Sequence, residues 1–302
     1  MNIKEILDVI GTNGQVVIMK EGLETVCDGL FNLFFNWRKQ SDKLKLAESD
    51  IIAQCILQIA ICKIRTLLSM CNGIFIMPKD EHIKVIDVPS MISVLRSLYE
   101  LTFVFHNIYA EQDSPLERDI VLYIWEIRGL NNRQNLSYVP IEYVEKENEE
   151  KKQISVLREK VELLAEKLHL SEELKKQLRK VTASNSVDIK GYRFKKDIEN
   201  KRIVAFEDVR FKDGAEDLLK TNAPTYRLLS IHGHPSYLGV QQFGQLFNNE
   251  TEKEFLRTIV TCACKLASTM AVDFRNHITG ADEIFTNLDE KSRSYIETLY
   301  NS

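Results

Sequence analysis

The sequence is poor in residues that break secondary structure. Its 302 residues include only 12 glycines and 6 prolines, the residues that most often punctuate a chain with turns. This scarcity favours long helices over many short strands. The composition of 44% hydrophobic and 28% charged residues is that of a globular protein able to bury a core. The length suits one large domain or two ordinary ones.

The sequence also lacks the short motifs that mark common enzymes. It has no Gly-rich phosphate loop, no Gly-x-Ser-x-Gly elbow and no dinucleotide fingerprint, and we expect no cofactor. The formal net charge of −4 gives no whole-chain attraction for nucleic acid. The six cysteines form no Cys-x-x-Cys pair. We interpret them as small buried hydrophobic residues in a reducing compartment.

No signal of membrane insertion or secretion is found. The chain does not open on a basic segment followed by an apolar one, as a signal peptide would. The most apolar segment, residues 51–70, is interrupted by two glutamines, a lysine and an arginine. These polar residues favour a core helix over a membrane span. We therefore expect a cytoplasmic protein without a membrane partner.

Apolar residues recur at the helical period along much of the chain. The pattern predicts helices over residues 20–44, 49–72 and 252–277. The apolar stripe of the second helix is so wide that we expect this helix to be central in a bundle. Asp87 and Ser114 each stand close before a proline, which is typical of a capped helix start. The predicted fold class is all-α, a multi-helix bundle with an inserted charged helical hairpin.

Charge density rises sharply over residues 141–183, where acidic and basic residues are interleaved. Within this segment, residues 154–168 carry apolar side chains at heptad spacing over about two repeats. Two repeats are too few for a stable isolated coiled coil. The seam packs either on its own chain or on another protein, which makes residues 154–168 a candidate partner site. We divide the chain into an N-terminal bundle (1–140), this charged hairpin (141–183) and C-terminal helices that complete the bundle (184–302).

The segment from Tyr226 to Pro235 contains the densest group of side chains able to perform acid–base or phosphate chemistry. It holds Arg227, Ser230, His232 and His234. Gly233 and the following proline predict that a helix ends here, which places His232 in its last turn. Exposed carbonyls at a helix C-terminus favour protonated histidine, and a protonated imidazole near an arginine suits a phosphodiester. Alternatively, His232 caps the helix and Arg227 is solvated.

Arg227-x-x-x-x-His232 resembles the Arg-x(4–6)-His motif of the HEPN proteins (higher eukaryotes and prokaryotes nucleotide-binding). The resemblance implies a helical, metal-independent ribonuclease that works as a homodimer. In that family the arginine and histidine line an RNA cleft, so Arg227 would hold the scissile phosphate and His232 would move protons at the RNA 2′-hydroxyl. The family usually has a polar residue after the arginine, whereas this chain has Leu228.

Residues 50–280 also resemble a bacterial all-helical family of unknown function. The resemblance rests on Arg96-x-x-x-Glu100, in the helix predicted to start after Asp87, and on Tyr226-x-x-x-Ser230-x-His232. Arg96 and Glu100 are four residues apart and therefore face one another on a helix. They either form a structural ion pair that locks two helices or share a pocket with Arg227 and His232, shaped by Tyr226, Ser230 and His234. A role in bacterial defence or in a toxin system is implied by family resemblance alone.

A local basic stretch precedes this segment and is a candidate contact for RNA. Aromatic and basic side chains alternate in it, as in single-strand binding sites, although nearby acidic residues dilute the charge and a solvated face is the alternative. Its members are Lys190, Tyr192, Arg193, Lys195 and Lys196. A metal site is not expected, because no carboxylate or cysteine completes a ligand set with His232 and His234 at familiar spacing.

Overall fold

The chain forms helices almost throughout the part that the structure describes. The computed structural model describes residues 15–75, 84–134, 140–184, 190–197, 199, 202–219, 225–233, 236–245 and 249–302. Over these ranges it contains twelve α-helices and two small two-stranded sheets. The predicted all-α, multi-helix fold is confirmed.

The elements follow one another along the chain in a simple order. The helices and strands are α1 (Gln15–Gln40), α2 (Glu48–Met70), β1 (Ile74–Phe75), β2 (Lys84–Val85), α3 (Val88–Tyr109), α4 (Pro115–Gln134), α5 (Val144–Lys167), α6 (Glu172–Ala183), β3 (Gly191–Lys196), β4 (Ile203–Val209), α7 (Phe211–Leu219), α8 (Thr225–Gly233), α9 (Tyr237–Gln245), α10 (Asn249–His277), α11 (Ala281–Thr286) and α12 (Glu290–Asn301).

Contacts divide the chain into two compact units. The first unit comprises residues 1–105 and 211–302, and the second comprises residues 106–210. The predicted charged hairpin at residues 141–183 lies within the second unit. The domain division at residues 140 and 183 stays a prediction.

Two helix starts use the cap-then-proline device that the sequence predicts. The Asp87 carboxylate accepts a hydrogen bond from the Ser90 backbone N–H (3.2 Å) at the start of α3. The Ser114 hydroxyl accepts one from the Glu117 backbone N–H (3.3 Å) at the start of α4. Each bond satisfies a backbone donor that the helix itself leaves without a partner.

The core of the first unit is built around Trp37. Its indole ring is fully buried and packs edge-on against Phe274 of α10, with ring centroids 5.6 Å apart. The indole N–H is satisfied by the Thr279 carbonyl at 2.8 Å. Asp50, in the first turn of α2, is buried. Its carboxylate accepts hydrogen bonds from the Ala47 N–H and the Thr279 hydroxyl, both at 2.9 Å. These bonds tie α1 and α2 to the residues that follow α10.

One side of α2 is exposed, although its wide apolar stripe predicts a central helix. Ile51 and Ile59 are 52% and 48% exposed, and Cys55 and Cys62 on the same helix are exposed too. The opposite side, which includes Ile64, is buried in the unit. Periodicity identifies residues that share a side of a helix but not which sides are covered, and the expectation that this helix is central in a bundle was wrong for its exposed side.

Among the described residues, three helices are long and apolar enough to cross a membrane by length and composition. They are residues 48–70, 88–109 and 252–277. Within these segments, 44%, 56% and 67% of the most apolar window, respectively, is buried inside the protein. The expectation of a protein without a membrane partner stays a prediction.

The heptad seam of α5 packs on its own chain. Ile154, Leu157, Val161 and Leu164 are each no more than 9% exposed. Helix α5 packs against α4 and α6, all within the second unit. Of the two alternatives for the seam, the structure has the intramolecular one.

Strands β3 and β4 form an antiparallel hairpin that one asparagine holds in place. The Asn107 amide, buried in the second unit, accepts a hydrogen bond from the Tyr192 N–H (2.8 Å) and donates one to the Tyr192 carbonyl (3.1 Å). It therefore pairs with the strand as a neighbouring backbone would. A Cβ on Gly191 would lie 2.7 Å from the Asn107 Cγ, so this close approach requires glycine.

The burial of the cysteines predicts a sharp contrast in thiol reactivity. Burial raises the pKa of Cys27 to about 11 and that of Cys264 to about 12. Only thiolate reacts, and at pH 8 about a thousandth or less of a thiol with such a pKa is ionised. We expect Cys55 and Cys62, which are exposed, to be alkylated by iodoacetamide well before Cys27 and Cys264. Time-resolved peptide mass spectrometry measures this, and equal rates in the native protein would contradict the described packing.

Candidate functional site

Arg96, Glu100 and Tyr226 lie together in the first unit; we call them the Arg96 cluster. The Arg96 Nε donates a hydrogen bond to the Glu100 carboxylate at 2.9 Å, and its Nη2 donates one to the Tyr226 hydroxyl at 3.3 Å. The guanidinium carbon also lies 5.5 Å from the centre of the Tyr226 ring. A side chain 130 residues away in the sequence thus fixes the orientation of this arginine.

Aromatic packing beneath the cluster sets the position of α8. The Tyr99 ring lies 5.5 Å from that of Tyr226, and Phe211 lies 6.1 Å from it. The Tyr99 hydroxyl donates a hydrogen bond to the Phe211 carbonyl. A Cβ on Gly214 would lie 2.4 Å from the Phe103 ring, so glycine lets α7 approach α3 closely. Helix α8 therefore packs, through Tyr226, against the aromatic rings of Tyr99 in α3 and Phe211 in α7.

The Arg96 cluster is electrostatically favourable although it is partly shielded from water. The side chains of Arg96 and Glu100 are 22% and 31% exposed. Burial opposes the charge of the guanidinium, but its hydrogen bonds to Glu100 and Tyr226 outweigh that penalty and raise the pKa of Arg96. The arginine is thus a fixed cation with part of its surface open to solvent.

Residues Thr225–Gly233 form α8, and His232 lies in the last turn of this helix, as predicted. Arg227 is exposed, and Ser230 is partly buried. Consecutive residues of a helix point about 100° apart, so the exposed Arg227 side chain diverges from that of Tyr226 and projects into solvent. The side chain of His232 and the whole of His234 lie outside the described structure. Convergence of Arg227 with His232 therefore stays a prediction.

The basic stretch lies on β3 and just before it, in the second unit. Lys190 pairs with Asp208 (2.7 Å), Lys195 lies 3.5 Å from Glu207, and Lys196 contacts Asp113 and Glu117 at 2.9 and 2.8 Å. The Tyr192 ring is buried against Phe206, which stacks on it at 5.2 Å. Of the five predicted contacts, Arg193 and Lys195 have exposed side chains.

An exposed apolar area on α1 and α2 is a feature that the sequence did not reveal. Contacts of Arg65 with Asp28 and of Arg38 with Gln54 link the two helices on their outer side. These contacts flank Phe31 and Phe35 of α1, which stack at 5.7 Å and are 41% and 43% exposed. The members of this α1–α2 face are Phe31, Phe35, Ile51, Cys55, Ile59 and Cys62.

Among the described residues, no three His, Cys, Asp or Glu side chains lie close enough together to hold a metal ion. The chain matches no protein-family model, no curated protein and no solved structure. The two family resemblances therefore rest on the residues quoted for them.

The ion pair within the Arg96 cluster predicts a measurable contribution to stability. Glu100→Gln keeps the size of the side chain and removes its charge. Because the ion pair is partly exposed to solvent, we expect the free energy of unfolding to fall by about 0.5–1 kcal/mol. Urea titration at unchanged slope measures the loss. Glu254→Gln, at an exposed position of α10, is the control. Equal stability of the two variants would contradict the role assigned to Glu100.

Proposed function

We propose that this chain is a cytoplasmic RNA-binding protein or metal-independent ribonuclease of the HEPN-like kind, with a role in bacterial defence or in a toxin system. The observation that supports the proposal is the Arg96 cluster. It presents a fixed, partly exposed guanidinium, and Arg227 projects into solvent one residue after Tyr226. An exposed guanidinium at Arg227 favours a phosphodiester ligand, because guanidinium binds phosphate through paired hydrogen bonds.

In the proposed reaction the nucleophile is a hydroxyl group of the RNA itself, and protein side chains assist its attack. The 2′-hydroxyl attacks the adjacent phosphorus, the P–O5′ bond breaks, and a 2′,3′-cyclic phosphate and a 5′-hydroxyl are formed. His232 takes the proton from the 2′-hydroxyl and returns it to the leaving 5′-oxygen, and Arg227 stabilises the negative charge that grows on the phosphoryl oxygens. In the second unit, Arg193 and Lys195 have exposed cationic side chains, which suit contact with RNA phosphates.

The test of this proposal is cleavage of a broad panel of RNAs in the presence of EDTA. We expect Arg227→Ala and His232→Ala each to lower the cleavage rate by about 100-fold or more, the usual contribution of a proton-transfer or charge-stabilising group. Arg257→Ala, which removes an exposed arginine of α10, is the matched control and should cleave like the wild type. Circular dichroism verifies folding of each variant. An inactive wild type, or equal activity in all four proteins, would contradict the ribonuclease.

The α1–α2 face favours a second function, that of a non-catalytic interaction protein. A partner that binds residues 154–168 would have to use the outer side of α5, where Val156 and Leu163 are exposed, because the heptad seam is buried. The α1–α2 face has six exposed members, four of them large apolar residues, and exposed apolar areas commonly mark protein interfaces. We assign it to a second copy of this chain.

Helix α2 is self-complementary when two copies run antiparallel. Its exposed positions follow heptad spacing, with Glu48 at one end and Arg65 at the other. A two-fold axis at the middle of the helix would place these opposite charges against each other, in an isologous contact. The resulting pairs, each between one copy and the other, are Glu48 with Arg65, Ile51 with Cys62 and Cys55 with Gln58.

A charge placed within this contact should separate the copies. Cys55→Glu would bury an unpaired carboxylate between the two helices, close to the two-fold axis, and we expect a monomer where the wild type is a dimer. Sedimentation velocity over a concentration series measures the change. Val156→Glu adds the same charge to an exposed apolar position of α5 and should leave the dimer intact. A wild type that is monomeric at every concentration would rule out this interface.

A further inference from the structure

A cavity of about 370 Å³ lies within the second unit. Its volume falls within the range of small-molecule sites in proteins. Most of its wall comes from α4, and the remainder comes from Gln153 of α5 and from Lys190, which precedes β3. The α4 residues that line it are Trp125, Glu126, Arg128, Gly129, Leu130 and Asn132.

Gly129 has no structural explanation apart from this cavity. Glycine in a helix interior is disfavoured relative to alanine because it loses more backbone freedom on folding. Gly129 has no positive φ that would require glycine. No atom would lie within 4 Å of an added Cβ, so close packing does not require it either. The absence of a side chain at Gly129 leaves space in the cavity.

The polar groups of the cavity define what it can hold. The Asn132 side-chain oxygen is buried, and no group among the described residues donates a hydrogen bond to it. A buried acceptor of this kind calls for an N–H or O–H donor. Arg128 is fixed by the Tyr192 hydroxyl at 2.7 Å, and Lys190 is fixed by Asp208 at 2.7 Å. Both bring donors to the same cavity.

The apolar groups favour a flat ligand. Trp125 offers an indole ring, and planar heterocycles stack on such a ring whatever the identity of the base. Leu130 adds apolar surface, and the open position of Gly129 adds space. A ring that stacks on tryptophan, donates to an amide oxygen and accepts from lysine or arginine combines both kinds of contact. Nucleobases have these properties.

We propose that this cavity binds a single nucleobase, stacked against Trp125 and donating a hydrogen bond to Asn132. The base comes either from a free nucleoside monophosphate or from an unpaired position in an RNA strand. The first source is independent of the function proposed above, and the second rests on it. In both cases the base enters the second unit, whereas Arg227 and His232 belong to the first.

The test is isothermal titration of the full chain with the four nucleoside 5′-monophosphates and with a short single-stranded RNA. Ribose 5-phosphate and inorganic phosphate are the controls that lack a base. We expect at least one monophosphate or the RNA to bind, and Gly129→Leu and Asn132→Ala each to weaken that binding at least tenfold. Ribose 5-phosphate that binds as tightly as the monophosphates would overturn the proposal, and so would the absence of binding by every base-containing ligand.

A pair of glycine variants separates the cavity from general effects on the helices. Gly129→Ala and Gly244→Ala both add a methyl group at a helical position where nothing lies within 4 Å. Both should raise the melting temperature, but only Gly129→Ala should weaken base binding. Equal affinity in the two variants would contradict the role of Gly129.

The same variants distinguish the two sources and the two sites. Loss of monophosphate binding in Gly129→Leu with unchanged RNA binding identifies a free nucleotide as the ligand, and loss of RNA binding identifies a base of the strand. RNA cleavage that persists in Gly129→Leu while base binding is lost supports two separate sites. Failure of Arg227→Ala to change cleavage contradicts the ribonuclease and leaves the cavity proposal to its own titration.

Discussion

An arginine that loses part of its hydration must recover hydrogen bonds from the protein, and this requirement at Arg96 organises the candidate site. Glu100 supplies a carboxylate from the same helix, while the Tyr226 hydroxyl comes from α8. Because the tyrosine must reach the guanidinium, α8 is tied to α3, and the positions of Arg227 and His232 follow. The proposed chemistry thus depends on a contact that does not itself take part in it.

The pairing of Arg96 with Glu100 could be predicted from the sequence because the two residues are four apart on a helix, whereas Tyr226 was one of several candidate partners. Arg96 and Glu100 lie four apart among apolar neighbours, which indicates a partly buried pair that needs another polar partner. The cap-then-proline starts at Asp87 and Ser114 were equally local and were confirmed. Local rules of this kind depend on a few adjacent residues and can therefore be applied without knowledge of the fold.

Features that depend on distant residues could not be predicted in the same way. The sequence Ile-Val-Ala-Phe at residues 203–206, for example, fits either a short strand or a helix start. The strand is decided by Asn107, which bonds to Tyr192 of the adjacent strand and approaches Gly191 so closely. Likewise, the apolar period of α2 did not show that one of its sides is exposed, and nothing in the spacing of Trp125, Gly129 and Asn132 indicated a cavity. Coverage of a helix side is set by its neighbours in space.

The relation between the Arg227 guanidinium and the His232 imidazole decides the ribonuclease proposal. A crystal structure of the protein with an RNA dinucleotide that carries a 2′-deoxy group at the cleavage position, and so cannot react, measures it. The proposal predicts that one phosphate accepts hydrogen bonds from Arg227 and lies within reach of His232, beside Arg96. A phosphate bound elsewhere, or two side chains that point to opposite sides of α8 with no ligand in common, would contradict it.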